Sequence, residues 1–327
     1  MRGCGLVGAV AIGLALSLGA QGVSGGVGQP ECIVPARAGG GFEHTCEIVR
    51  RGLEEGKHLK APMRMTHMPG GVGAVAYGAI VAQRPGEGNT LVAFSGGSLL
   101  NLAQGKFGKY TESDVRWLAA IGRDHGMIVV RADSPIRNLK DLVAALRRDP
   151  TKVVFGVGGT VGGQDWMKVA LVAKTAGIDP KAIRYVSFEG GGEALIALLS
   201  GHVQAVSGDI SEATGQLEGG KMRVLAVFSD QRLPGDLANV PTAKEQGFAI
   251  SWSAIRGVYM GPKAPDADYA WWIRTFNAMM ATREFARLRE ERGMFPFSST
   301  GGELERLVRK TVREYAEFTK AFGVRKK

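Results

Sequence analysis

One supersecondary unit recurs along this chain and constrains what it can fold into. A short apolar strand, a glycine-rich loop and an amphipathic helix follow one another again and again. In the first copy CIVPA at 32–36 leads into RAGGG. The helix after it carries Phe42, Cys46, Val49 and Leu53 on one face, at spacings of four, three and four, with Gly56 as its stop. MRMTHM, PGGVG and AVAYGAIVAQ form the second copy; TLVAF, SGGS and LLNLAQG the third. After Asp133 comes a lone helix, NLKDLVAALRR. KVVFGV, GGTVGG and QDWMKVALVAKTAG then make the fourth copy, IRYVSF, EGGG and EALIALLSG the fifth, and VQAVS, GDIS and EATGQLEGG the sixth. Alternation of this kind predicts an α/β fold of mostly parallel sheets flanked by helices. Ligands of such sheets bind beyond the carboxyl ends of the strands, and here the glycine loops lie there.

Glycine in a helix-leading loop lets a ligand approach bare backbone. The free N–H groups and positive dipole end of a helix start then favour an anion. The chain holds 48 glycines, and Gly39 to Gly41 stand consecutively before the first helix. A side chain at Gly40, such as valine, is expected to block an anion there by bulk and by backbone strain.

Two places break the repeat. IGRDHGMIVVRADSP changes character near Arg123 to Val130, and SWSAIRGVYMGP near Ser253 to Val258. Both are expected to cross between two domains and to act as a hinge. The predicted division is 27–126 for the first part of domain 1, 127–255 for domain 2, and 256–327 for the return to domain 1 with the C-terminal helices. The tail, ending in GGELERLVRKTVREYAEFTKAF, offers no catalytic constellation and reads as packing.

Residues 1–26 read as a signal peptide: Arg2, an apolar run from Leu6 to Leu18, then small and polar residues, with cleavage between Ala20 and Gly26. Cys4 precedes that run and Cys32 follows QPE, so no lipid anchor is expected. An exported protein is expected, and a mature chain of this length suits two domains. The formal charge of +10 has no long basic run behind it, so it points to a small anion or to solubility rather than to nucleic acid. Cys32 and Cys46, 15 residues counted inclusively, are either two buried thiols or a bridge, and an oxidising compartment favours the bridge. Their Cα atoms should then lie about 4.4 to 6.8 Å apart. His44 is the only nearby histidine, so no metal site is expected; it reads as a surface residue.

Other functions fit less well. GGVGAVA at 70–76 matches G-x-G-x-x-A, but no acidic residue closes a strand about 20 positions on. No glycine run is followed by Lys-Ser/Thr, and FSGGS is not a nucleophile elbow. The acidic residues beside the glycines, Glu43, Asp165, Glu189 and Asp209, could cap helices or could take a ligand hydroxyl or ammonium.

The ordered set PARAGGGFEHTC, MPGGVGAVAYG, VRWLAAIG, FEGGGEALIALLSGHVQAVSGDISE and NVPTAKEQG resembles the extracytoplasmic solute receptors of tripartite tricarboxylate transporters, the Bug receptors. Cys32, Cys46 and GGTVGGQDW are most similar to the tricarboxylate-binding branch. The resemblance implies a two-domain, type II-like periplasmic binding protein, not an enzyme, that closes on a small carboxylate. It implies contacts from Ala38, Gly39, Gly40, Gly41 and Phe42 in the first loop, and from Ser95 and Gly97 in the third. From the second domain it implies Gly159, Thr160, Gly163, Gln164 and Asp165, with Gly190, Gly191 and Asp209. Where the family has Asp, this chain has Glu43, which sets that residue apart from the direct contacts. The implied protein is a periplasmic monomer without cofactor or metal, binding a citrate-like di- or tricarboxylate. It would deliver this ligand to a large and a small integral membrane subunit. A secreted α/β enzyme acting on an anion, or a carboxylate receptor serving a membrane sensor, are the alternatives.

Overall fold

The computed structural model describes Met1 and residues 28–323. The predicted leader therefore lies, apart from Met1, outside the described residues. β1 (Glu31–Val34) leads to α1 (Gly41–Glu55), β2 (Arg64–His67) to α2 (Ala74–Ala82), and β3 (Thr90–Ser95) to α3 (Gly96–Ala103). Then follow β4 (Arg116–Arg131), α4 (Leu139–Arg148), β5 (Phe155–Gly158), α5 (Gln164–Thr175), β6 (Tyr185–Phe188), α6 (Gly191–Leu199), β7 (Ala205–Asp209) and α7 (Ile210–Glu218). The chain continues through β8 (Met222–Val227), β9 (Ser253–Met260), α8 (Asp266–Met280), α9 (Arg283–Glu291), β10 (Ser299–Thr300) and α10 (Gly301–Ala321). Among the described residues no helix is long and apolar enough to cross a membrane.

All six repeated units form, but the sheet is parallel only in its two wings. Its order is β2-β1-β3-β9-β4-β7-β5-β6, with β8 and β10 also pairing β4. β2, β1 and β3 run parallel, as do β7, β5 and β6. Between the wings, β9 is antiparallel to β3 and β4, and β4 is antiparallel to β7 and β8. The two segments expected to cross between domains are therefore one hydrogen-bonded ribbon, pairing Arg123 with Ile255 and His125 with Ser253. β4 passes to the second wing at Gly126, whose N–H donates to Trp252 O at 3.0 Å.

Alternation along the strands puts a core on each face. In β1, Cys32 and Val34 enter the cluster under α1 and α8, and Ile33 enters the one under α2, α3 and α10. Beyond the crossing, Met127 and Val129 face α6 and α7, and Ile128 and Val130 face α4 and α5. The expected face of α1 is buried at Phe42, Cys46, Val49 and Leu53. That packing brings Cys46 onto β1, where it is bonded to Cys32 with Cα atoms 5.8 Å apart, inside the expected range. The C-terminal tail does more than return to the first wing. Leu304, Val308 and Val312 pack there, while Tyr315, Phe318 and Phe322 lie on the core of the second.

Candidate functional site

The carboxyl ends of both parallel wings face one cavity of about 50 Å³, room for roughly three or four waters. Three helices start on it behind glycine: α1 after Gly40, α5 after Gly163 and α6 after Gly190. None of these caps makes a side-chain hydrogen bond to its helix start. The wings touch around the cavity. Gln104 Nε2 donates to Gly162 O at 2.7 Å, Lys106 Nζ to Thr160 Oγ1 at 3.2 Å, and Arg37 pairs with Glu193 at 3.6 Å. Val72 has φ of 52°, a genuine outlier for a β-branched residue. Its Cγ2 is packed so closely on Gly159 that a Cβ there would lie 2.8 Å away.

Of the expected residues, Gly40, Gly41, Phe42, Ser95, Gly97, Gly159, Thr160, Gly163, Gln164, Asp165, Gly190 and Gly191 line the cavity. Ala38, Gly39 and Asp209 do not. Gly39 donates its N–H to Glu43, which is also 3.2 Å from His67 Nε2 on the outer side. Gly97 N–H is taken by Ser95 Oγ at 3.2 Å within a capping box. Gly40 needs correction on one point: its φ of −108° and ψ of 174° are extended backbone that any residue adopts, so no strain resists a side chain there. Bulk would act more strongly at Gly41, where a Cβ would lie 2.1 Å from Arg256 Nη1.

Sequence reasoning passed over the ionic floor. Arg256, in the middle of β9, is 2% exposed and also lines the cavity. Its Nε donates to Asp124 at 2.7 Å and its Nη2 to Asp209 at 2.9 Å, leaving Nη1 beside Gly41. Lys168, fully buried on α5, donates to Asp165 at 2.9 Å, to Gly208 O at 2.7 Å and to Asp209. Burial would push Asp209 up, but Lys168 and Arg256 outweigh it and hold the carboxyl below its ordinary value. Asp209 also caps α7 and accepts from Gln164 Nε2, so it is a structural anchor under the cavity. Asp165 likewise accepts Gly158 N–H at 2.9 Å. Glu212 was missed as well. It lines the cavity and takes Gly41 N–H on Oε1 at 3.1 Å. A lone arginine inside the apolar strand SAIRGVYM was the signal available for Arg256; Glu212, one acidic residue among several, carried none. His44, expected at the surface, is half-buried, and burial with Arg256 nearby pushes its pKa down.

Two α/β wings facing each other over a cleft, joined by crossing strands at its floor, define the fold of a type II-like periplasmic binding protein. Solved structures agree. MatC from Rhodopseudomonas palustris, solved with bound malate, superposes with a TM-score of 0.76 at 19% identity over 88% of this chain and 98% of that one. The periplasmic binding protein BugD superposes with 0.82 at 19% identity over 91% and 99%. A second R. palustris protein, solved with adipate, gives 0.81 at 20% identity over 90% and 97%. In sequence, BugT of Bordetella pertussis is 22% identical over 305 residues, 91% of this chain and 90% of BugT. A Cupriavidus necator protein named for the gbd 5′ region is 25% identical over 61% of this chain, spanning 59% of its own length. Residues 49–324 match the model of the tripartite tricarboxylate transporter family receptor. The chain belongs to that family.

Proposed function

We propose that this protein is a periplasmic solute-binding receptor that captures a small di- or tricarboxylate for a tripartite transporter and performs no chemistry on it. One observation carries the reading: three glycine-started helices and the Arg256 guanidinium converge on a single cavity between the wings. The N–H groups at the starts of α5 and α6 and a buried guanidinium are suited to a carboxylate, while at α1 the Gly41 N–H is taken by Glu212. Gln164 Oε1 on the same wall is buried and has no partner among the described residues. A ligand hydroxyl reaching it as the wings move would satisfy it, which favours a hydroxy acid of the malate or citrate kind over adipate. The domains divide near 126 and 255, and the halves close by bending the β4–β9 ribbon at Gly126 and Trp252.

Calorimetric titration with citrate, malate, adipate and an uncharged amide analogue tests this. Hydroxy acids should bind best and the amide not at all. Gly41→Val should weaken the best ligand by about two orders of magnitude or more, as expected for losing one or two charge-assisted bonds. Binding of the amide as tightly as the acid would end the carboxylate reading.

A further inference from the structure

We infer that Glu212 sets the charge state in which a ligand is accepted: it must carry a proton before an anionic carboxylate can share the cavity with it. The inference rests on the carboxylate reading above. Glu212 already sits as an internal carboxylate between the starts of two helices. Its Oε1 takes Gly41 N–H at α1, and its Oε2 takes Asp209 N–H at 3.3 Å. At α6 it is packed so close that a Cβ on Gly191 would lie 2.0 Å from Oε2. A ligand carboxylate held at the starts of α1 and α6 lies against Glu212, and two like charges in one desolvated site do not both stay ionised.

The pairing geometry points to Glu212 as the group that takes up the proton. It is faced by Asp209 at the end of β7, by Arg256 on β9, and by Asp165 and Lys168 on α5. Behind Arg256 stand Asp124 on β4 and His44 on α1. Lys168 is bonded to Asp165 and Asp209, and Arg256 to Asp124 and Asp209. Glu212 has Arg256 only at 3.9 Å. Burial, and then the charge of Asp209, push its pKa up to about 7. Asp165 lines the same cavity, and burial leaves it raised as well despite Lys168 at 2.9 Å. Its two oxygens, however, are already held by Lys168 and Gly158 N–H, whereas Glu212 faces Gly41 at the start of α1. His44 and His125 are both pushed down by burial, away from the range in which Glu212 titrates. Once protonated, the Glu212 carboxyl can donate to a ligand oxygen instead of repelling it.

Malate, doubly ionised throughout the range, is the probe. Titrated into wild type from pH 6 to 8.5 in two buffers of different ionisation heat, it should bind with uptake of up to one proton above pH 7. Its Kd should then rise by up to about tenfold per pH unit. Glu212→Gln should flatten that slope and remove the proton uptake. A wild-type Kd and heat that depend on neither pH nor buffer would overturn the inference while leaving the carboxylate reading intact. A variant keeping the wild-type slope would overturn it too, by assigning the proton elsewhere. Should the variant fail to fold, Asp165→Asn under the same titration decides: proton uptake kept supports Glu212, and proton uptake lost overturns the inference. If malate, citrate and adipate bind at no pH tested, the carboxylate reading fails and this inference with it.

Discussion

At the amino ends of β1, β2 and β3, buried Glu31 is surrounded by partners. Arg84 pairs with it, Arg64 reaches it at 2.9 Å, Thr66 donates at 2.6 Å and Thr90 at 3.3 Å. Burial alone would raise its pKa, but Thr66 and Arg84 outweigh that and hold the carboxyl below its ordinary value. At the carboxyl ends, four acids (Asp124, Asp165, Asp209 and Glu212) share two buried cations, and Glu212 is left with the poorest pairing. Both clusters line a cavity, but the one beside the Cys32–Cys46 bridge is saturated, whereas the one between the wings is short of positive charge. A saturated cluster serves the fold, whereas a deficit of cations beside a cavity leaves a place for a ligand or a proton to act.

Removing the central cation of each cluster should separate them most. Arg256→Met strands Asp124, Asp209 and Glu212 in the interior and should cost about 3 to 5 kcal/mol in denaturant unfolding, with ligand binding lost. Arg84→Met leaves Glu31 with Arg64 and two hydroxyls and should cost about 1 to 3 kcal/mol, with binding kept. Equal losses would erase the contrast. Next comes the bridge: Cys32→Ala with Cys46→Ala should lower stability by roughly 3 kcal/mol without changing affinity, since it staples the saturated end.

The pH dependence of unfolding should carry opposite signs at the two ends. Glu212, raised to about 7, holds its proton in the folded state over a range where the unfolded chain has lost it. Its stabilisation is complete below pH 4.5 and is lost as pH rises through about 7, by at most about 1.4 kcal/mol per pH unit. Glu31, lowered, stabilises above pH 4.5, and that contribution is lost on acidification. Glu212→Gln should therefore flatten the neutral limb and Glu31→Gln the acid limb; effects on the same limb would break the assignment. The smallest change is expected from Arg64→Ala. Its side chain is 71% exposed, so the loss should stay within about 1 kcal/mol.

Local patterning made most of this architecture readable. The helical face of Phe42, Cys46, Val49 and Leu53, the glycines 39–41 before it and the stop at Gly56 report on near neighbours, so α1 and its loop follow from them. β8 carries an apolar run yet lacks the glycine loop that marked its predecessors, and it was not anticipated. β4 hides its length because the buried residues change faces at its bulges near Trp117 and Ala120, interrupting the period of two. The cavity's ionic floor is assembled from residues as far apart as Asp124 and Arg256. No spacing along the chain encodes such a meeting; only the crossing of β4 and β9 brings it about.

The last helix has a mechanical consequence. α10 is about 30 Å long and is seated on the first wing at Leu304 and on the second at Tyr315, whose ring stacks on Trp252 at 6.0 Å and 9°. If the wings close as proposed, it acts as a strut across that joint, and any swing must slide or tilt that aromatic pair. Trp252 is, in effect, a strain gauge built into the hinge. In a variant that keeps Trp252 but replaces the other four tryptophans by phenylalanine, its emission should shift on saturation with ligand.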